Sequence, residues 1–208
     1  LADAWRAQVN GWTLTTTGPS GPSYYPRLTK DGNPNAATTY AIGDSGPAAI
    51  DQRQVVDPSF LELVRLGIKP ASDPNILSTL RVVDSQLSYS TPNGQFWHRY
   101  TDDGYGERRN GQPWDVGFPP GSQTTIGRLW PIFAGERGEY ALLAGRSASG
   151  RLEAMAQTAN AGGLLPEQVW DQNPPSGTGP FTPGTPTFSA TPLAWTHAQL
   201  IRLAWSVQ

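Results

Sequence analysis

The chain has 208 residues, enough for one sizeable core or two small domains, and pairs 37% hydrophobic with only 15% charged residues. Its net charge is −2 and its one tight basic group is Arg108-Arg109, which excludes nucleic-acid binding because such proteins need clustered Lys and Arg against phosphates. The absence of Cys removes disulfides, zinc–thiolate sites and thiol nucleophiles, and no apolar run approaches the ~20 residues of a membrane span.

Gly, Pro and Trp are frequent where charged residues are scarce. Gly and Pro number 23 and 20, which stays below the roughly 25–30% of a chain that marks disorder. The eight Trp residues stand out, because Trp is favoured where a flat apolar face meets a polar ligand such as a sugar. We therefore expect a folded protein with long ordered loops, and the Trp content favours a carbohydrate ligand.

The first fifty residues are predicted as the end of a helix followed by a loop. Residues 1–12 have apolar residues at helical spacing, and an N-terminus inside a helix is typical of a processed, cleaved or truncated chain. Residues 13–50 carry repeated Gly-Pro turns and an Asn-Pro turn. These breakers indicate a loop excursion with room for one short hairpin.

Two helices with strong start signals come next. Asp57-Pro58 and Asp73-Pro74 each place a side chain that can cap a helix directly before a Pro in the first turn. The apolar residues that follow recur at helical spacing in both segments. The first helix is expected to end at Gly67, and the second to extend to Leu87.

The second half of the chain is predicted as three helices separated by loops. We expect a loop at 89–125, helices at about 126–144, 148–160 and 191–206, and a Pro-rich loop at 161–188. The six helical segments show neither a βαβ rhythm nor a sequence repeat. Hairpinned helices with long loops favour an all-α fold, either an α/α toroid or a helical bundle.

Carboxylates, Arg and Trp are concentrated in a few segments at loops or helix ends. These segments are RYTDDGYGE at 99–107, GRLWPIFAGERGEY at 127–140, PEQVWD at 166–171 and ATPLAWTHAQLIRL at 190–203. Together with FLELVRLGIK at 60–69, they resemble glycoside hydrolase family 15, in its bacterial glucoamylase and glucodextranase branch. The resemblance extends from near residue 5 to residue 205, in the family's order and spacing.

The resemblance implies a fold and an activity. Residues 1–208 would form the C-terminal half of an (α/α)6 barrel, which is the catalytic domain of the family. Its members remove glucose from the non-reducing ends of α-glucans with inversion, so the product is β-glucose. Inversion needs two carboxyl groups roughly 6.5–9.5 Å apart, with a water on the face of the sugar opposite the acid.

The resemblance also assigns the catalytic roles. Glu167 is expected to be the general base that activates this water. The family's general acid lies upstream of anything that matches residue 1, so we expect the N-terminal half of the enzyme as a second chain or missing segment. The isolated chain is expected to be inactive, and its location extracellular or periplasmic in a bacterium.

Six further residues are expected in or near the substrate site by the same resemblance: Arg99, Tyr100, Trp130, Glu136, Arg137 and Trp195. Arg99 suits two adjacent sugar hydroxyls, because its planar fork offers parallel donors. An ion pair with Asp102 or Asp103 is the alternative for Arg99, and packing in the core is the alternative for the two Trp residues.

The sequence is also compatible with other functions. A glucan-binding module would also explain the Trp content, although such modules are usually β-sandwiches. A glucosyl-transferring relative would use the same scaffold, and the residues do not distinguish α-1,4 from α-1,6 linkages. We expect no cofactor, and we leave open a structural calcium ion at Asp102, Asp103 and Glu107. The two His residues lie far apart and do not have metal-ligand spacing.

Overall fold

The computed structural model describes residues 1–114, 118–173, 175, 179 and 181–208. The fold is rich in helices, which are connected by long loops and two small sheets. The α-helices in the described residues are α1 (Ala2–Thr13), α2 (Glu62–Arg65), α3 (Pro74–Leu87), α4 (Pro131–Leu143), α5 (Ser149–Ala156) and α6 (Ala194–Ser206). The part of the 161–188 loop that the structure describes contains neither a helix nor a strand, as predicted.

The two capped helices begin where the sequence indicates. The Asp57 carboxylate accepts a hydrogen bond from the backbone N–H of Ser59 at 3.0 Å, at the start of a 3₁₀ helix (Pro58–Leu61) that continues into α2. Gly67 follows α2 with a φ of +69°, a conformation that favours Gly. The Asp73 carboxylate accepts from the N–H of Asn75 at 2.8 Å and so caps α3.

Two small antiparallel sheets lie in segments that were predicted mainly as loops. β1 (Thr39–Tyr40) pairs with β2 (Ile50–Asp51), the short hairpin for which the first loop had room. β3 (Ser88–Thr91), β4 (Gly94–His98) and β5 (Leu129–Trp130) form a second sheet in the order β3-β4-β5. The loop predicted at 89–125 was therefore wrong at its beginning, where the β3–β4 hairpin lies.

The start of α4 was also predicted too early. Leu129 and Trp130 pair with His98 and Trp97 of β4 as an edge strand, so the helix starts at Pro131 rather than at residue 126. Pro at the first helical position needs no backbone partner for its missing N–H, which makes this a natural starting point.

The core lies where α4 packs against α5, α6 and the β3–β4–β5 sheet. Its largest members with almost no exposed surface include Trp97, Phe96, Leu129, Met155 and Leu203. Two glycines on α4 allow the helices to approach closely. A Cβ at Gly135 would overlap the side chain of Gln199 on α6, and one at Gly138 would lie 2.7 Å from Leu203 Cδ2.

α1 and α6 leave apolar side chains uncovered within the described chain. α1 has no buried residue, and Trp5 on it is 57% exposed. On α6, Ile201 and Trp205 are 68% and 78% exposed and lie on one stripe with Ala198, while Trp195 at 66% flanks it. No helix in the described part of the chain is long and apolar enough to cross a membrane.

Candidate active site

Glu167 lies in an extended segment that is held on both sides by backbone hydrogen bonds. On one side, Val169 and Leu129 of β5 exchange hydrogen bonds of 2.8 and 3.2 Å. On the other side, the N–H of Glu167 donates to the carbonyl of Ala190 at 2.8 Å, and Thr187 donates to the carbonyl of Gln168 at 3.0 Å. The segment therefore acts as a strand between β5 and the loop that precedes α6, which fixes the backbone of Glu167.

The N-terminal end of α6 is tied to the same segment. Thr196 donates through its hydroxyl to the carbonyl of Pro166 at 2.9 Å, and Leu193 donates its N–H to the carbonyl of Leu165. The N–H of Leu165 in turn donates to Nε2 of His197 at 3.0 Å. His197 thus serves as an acceptor with a structural task, and α6 is fixed relative to Glu167.

The carboxyl group of Glu167 is largely withdrawn from water, since the residue is 8% exposed. Burial raises its pKa above the ordinary value, and the nearby charges of Glu107 and Asp103 add to the rise. A hydrogen bond from Nε2 of Gln168 at 3.3 Å and the charge of Arg99 act in the opposite direction. The group is therefore a carboxylate with increased proton affinity, which is what a general base needs.

Gln168 is a fully buried residue that connects Glu167 with two neighbouring segments. Its Oε1 accepts from the backbone N–H of Arg128 at 2.6 Å, and its Nε2 donates to the carbonyl of Tyr105 at 3.0 Å as well as to Glu167. The three hydrogen bonds of this amide are all made to Glu167 and its surroundings. Its place in the PEQVWD string was visible in the sequence, but its partners were not.

Arg99, whose charge acts on Glu167, is held firmly by its own neighbours. Nε and Nη2 donate to the two oxygens of Asp103 at 2.8 and 2.9 Å, and Nη2 also donates to the hydroxyl of Tyr100 at 3.1 Å. Nη1 makes no hydrogen bond within the described residues. The ion pair considered as an alternative is thus present with Asp103, and one face of the guanidinium still offers donors.

Aromatic rings surround this guanidinium. Its centre lies 4.7, 4.6 and 5.2 Å from the ring centroids of Tyr100, Tyr105 and Trp130, within range of cation–π attraction. Trp114 adds an edge-on contact to Tyr105, with the centroids 4.4 Å apart. Tyr105 belongs to the RYTDDGYGE string, yet sequence reasoning did not select it.

Tyr100 and Trp130, both selected from the sequence, are buried members of this group of rings. They are 5% and 4% exposed. Burial raises the pKa of Tyr100, and the neighbouring Asp103 adds to the effect. Nε1 of Trp130 is buried without a hydrogen-bond partner in the described chain, which is an uncommon state for an indole N–H.

Glu136 and Arg137 make their described contacts with residues other than the Glu167 group. Arg137 donates to Asp84 of α3 at 2.7 Å and its guanidinium lies 5.4 Å from the Trp97 ring. Glu136 is half-buried on α4, and its pKa is raised to about 8 by burial and by the charges of Glu62 and Glu139. The contacts of both residues are with the helical core.

Trp195 lies near the base segment through the start of α6, and its side chain is exposed. Its position on the second residue of the helix, directly after the Leu193–Leu165 hydrogen bond, leaves its ring open to a ligand. Asp44 is a further polar group that sequence reasoning missed. Its carboxylate lies 4.0 Å from Nη2 of Arg99, and the GDSG context that carries it gave no signal of function.

Few side chains among the described residues are arranged to bind a metal ion. No group of three or more His, Asp or Glu side chains there is arranged to hold a metal ion. Of the carboxylates considered for calcium, Asp103 pairs with Arg99, and Oε1 of Glu107 accepts the N–H of Phe188 at 2.8 Å. Both side chains thus accept hydrogen bonds from the protein itself, although Oε2 of Glu107 is buried without a hydrogen-bond partner in the described chain.

Comparison with known proteins agrees with the resemblance. The chain belongs to Glycosyl hydrolases family 15, whose profile matches residues 22–205. It is 44% identical over 203 residues to a glucoamylase of Clostridium sp. (strain G0005), which covers 97% of this chain and 26% of that protein. The expectation of a family 15 relative is confirmed.

Solved structures give the same answer. A crystal structure of a bacterial glucoamylase in complex with acarbose matches 99% of the chain with a TM-score of 0.86 and 42% identity, over 28% of its own length. A structure described as a wild-type glycosidase matches 74% of the chain at 23% identity and a TM-score of 0.50, which is a likeness of fold alone. The chain therefore spans little more than a quarter of the glucoamylases that it matches.

Proposed function

We propose that this chain is the base-bearing part of an inverting, exo-acting α-glucosidase of the glucoamylase or glucodextranase type. The observation that carries the proposal is the state of Glu167, a buried carboxylate with a raised pKa, fixed by backbone hydrogen bonds and placed near the aromatic surface around Arg99. The substrate would be the non-reducing end of an α-glucan, and the first product β-glucose.

In the proposed reaction, Glu167 takes one proton from a water molecule as that water attacks the anomeric carbon. The bond between the anomeric carbon and the glycosidic oxygen breaks, and the general acid protonates the leaving oxygen from the other face of the sugar. Gln168 holds the carboxylate in place through its amide N–H. The ionised form of Glu167 is the reactive one, so activity requires a pH above its pKa.

Arg99 and its aromatic neighbours are proposed to bind the terminal glucose unit. Nη1 of Arg99 has donors available, and the guanidinium cannot turn away because Asp103 and Tyr100 hold it. Trp195, exposed near the base segment, would add an apolar face for a neighbouring sugar. Trp130 and Tyr100 support Arg99 from behind, and we retain Glu136 and Arg137 as outer residues of the same enzyme.

The remaining part of the enzyme is proposed to supply the general acid. Residues 1–208 would then be the C-terminal half of an (α/α)6 barrel and would lack turnover alone. The coverage of little more than a quarter of the related glucoamylases supports a longer functional unit. We further propose an extracellular or periplasmic location, where α-glucans too large for import are degraded, and no cofactor is needed for this chemistry.

The decisive experiment replaces Glu167 by Gln in the complete enzyme, in which this chain is joined to or co-produced with the rest of the polypeptide. Loss of a general base lowers kcat by about 10²–10⁴-fold, while the isosteric amide leaves substrate binding nearly intact. Glu153→Gln, at an exposed position on α5, is the matched control and should retain full activity. Near-normal turnover of Glu167→Gln would remove the base assignment.

Product analysis by proton NMR at early times separates the proposed reaction from its alternatives. β-Glucose as the first product supports inversion, and α-glucose contradicts it. Lengthened oligosaccharides would instead indicate glucosyl transfer on the same scaffold. Glucan binding by the complete protein without release of any sugar would indicate a binding module.

A further inference from the structure

Unusual backbone conformations are concentrated at one place next to the candidate site. Asp44, Ser45, Asp102 and Gln123 are the residues other than Gly with a positive φ in the described chain, with values of +54°, +65°, +57° and +51°. All four lie around one polar cavity of about 120 Å³ or in the turn that borders it. Such conformations persist only where the surroundings determine them, and they cluster at functional sites.

The turn that carries Asp44 is held in this conformation from three sides. The N–H of Gln123 donates to the carbonyl of Ser45 at 2.9 Å, and the Ser45 hydroxyl lies 2.6 Å from that of Thr125. The Thr125 hydroxyl also lies 3.2 Å from the carbonyl of Asp44. Gly104 packs so closely that a Cβ there would overlap this carbonyl oxygen. The position of Asp44 is therefore fixed by tertiary contacts.

The carboxylate of Asp44 is not needed to hold Arg99. Asp103 accepts two hydrogen bonds of 2.8 and 2.9 Å from the guanidinium, and the Tyr100 hydroxyl accepts a third. Oδ2 of Asp44 remains 4.0 Å from Nη2 of Arg99, beyond hydrogen-bond distance, and its side chain makes no hydrogen bond in the described chain. Its side chain is 41% exposed.

We propose that Asp44 is a substrate-binding residue, whose carboxylate accepts a hydrogen bond from a hydroxyl of the terminal glucose unit while Arg99 donates to a neighbouring hydroxyl. The inference rests on the proposed function, since it assigns the sugar to the Arg99 surface. The Asp44 carboxylate can only accept, and it lies 4.0 Å from the Nη2 end of a guanidinium whose Nη1 still has N–H groups to donate. Such a pair suits adjacent sugar hydroxyls, each of which is both donor and acceptor. The strained turn serves to place the acceptor there in advance.

The test uses two substitutions that tolerate a positive φ, so that the turn itself is preserved. Asp44→Asn keeps the shape and removes the charge, and Asp44→Gly removes the side chain without backbone strain. The matched control is Asp102→Asn, which removes an exposed carboxylate from the same strained cluster. Thermal unfolding of all three variants in the complete enzyme verifies that each is folded.

We expect kcat/KM for maltose to fall by about tenfold or more in Asp44→Gly, less in Asp44→Asn, and by no more than about twofold in Asp102→Asn. The specific readout is a set of maltose analogues that lack one hydroxyl of the non-reducing unit, at C2, C3, C4 or C6. One of them should be a poor substrate for the wild type relative to maltose, and this penalty should disappear in Asp44→Gly. A purely structural role would lower the rates for maltose and all four analogues alike.

Two results would overturn the proposal. These are unchanged kcat/KM in Asp44→Gly, or a penalty for each missing hydroxyl that is the same in the variant and in the wild type. Both are distinct from a failure of the proposed function, which would appear as turnover in Glu167→Gln or as α-glucose in the wild-type product.

Discussion

Replacing Gln168 is the sharpest test of how Glu167, the proposed base, is held. Gln168→Met keeps the approximate volume and removes three hydrogen bonds, which leaves the N–H of Arg128, the carbonyl of Tyr105 and the carboxylate of Glu167 without this partner. Each buried group left unpaired costs about 1–3 kcal/mol. We therefore expect the free energy of unfolding to fall by on the order of 3 kcal/mol or more, a large share of the stability of a typical domain.

The same substitution should shift the pH dependence of catalysis in a defined direction. The amide N–H of Gln168 stabilises the ionised form of Glu167 and lowers its pKa, against the larger effect of burial. Without this hydrogen bond the pKa rises further. Since the base must be ionised, the acidic limb of the kcat profile should move to higher pH.

The assay is chemical denaturation together with kcat measured from pH 3 to pH 9 in the complete enzyme. Gln168→Glu keeps an acceptor for the Arg128 N–H but places a second carboxyl group beside Glu167 in a buried position, so we expect a loss of stability at least as large as in the Met variant and a shift of the acidic limb in the same direction. Gln157→Met, at an exposed position after α5, is the control. An acidic limb that stays in place, or moves to lower pH, would refute the role assigned to this hydrogen bond.

Two further predictions concern α4. Glu136→Gln should leave the free energy of unfolding unchanged near pH 4 and raise it increasingly up to about pH 8. The reason is that the fold raises the pKa of this carboxyl group from 4.5 to about 8, so the wild type loses stability as the pH rises through that window. Equal stability of variant and wild type at pH 8 would contradict this. Gly135→Ala should destabilise by about 1–3 kcal/mol in denaturant unfolding, because its Cβ meets Gln199. Gly150→Ala on α5, where nothing lies within 4 Å of the added Cβ, should instead stabilise by about 0.5–1 kcal/mol, and equal effects at the two positions would refute the packing argument.

Local signals in the sequence were sufficient for the helices with strong caps. Asp57 and Asp73 cap the segments that they were expected to cap, since an Asx side chain followed by Pro acts within one turn of chain. The residue at which α4 starts is determined by contacts with distant parts of the chain as well as by local sequence. Leu129 and Trp130 join a sheet with residues thirty positions away, and this pairing overrides their helical spacing.

The β3–β4 hairpin carried a local signal that was overlooked. Its turn is Pro92-Asn93 followed by Gly94, which has a φ of +130°, and Asn-Gly between aromatic and β-branched residues is a strong hairpin indicator. The segment was instead predicted as the beginning of the loop at 89–125.

The sequence motifs predicted which segments contribute to the candidate site, but not which of their residues lie together. Arg99 and Trp130 are in contact, and the charge of Arg99 acts on Glu167, whereas the contacts of Glu136 and Arg137, which share a string with Trp130, are with other residues. At 1.5 Å per residue, a helix carries Glu136 roughly 9 Å along its axis from Trp130. Asp44 shows the opposite case, since it is 55 positions from Arg99 in the chain and beside it in space. Contacts of this kind arise from tertiary packing, which no local pattern records.

The uncovered stripe on α6 determines how the chain behaves when it is produced alone. Ile201 and Trp205 present large apolar surfaces to water side by side, which in a soluble protein promotes self-association. A preparation of the segment alone should therefore bind hydrophobic dyes and precipitate as salt is added. Synthesis together with the rest of the polypeptide is the practical route to a sample suitable for enzymology.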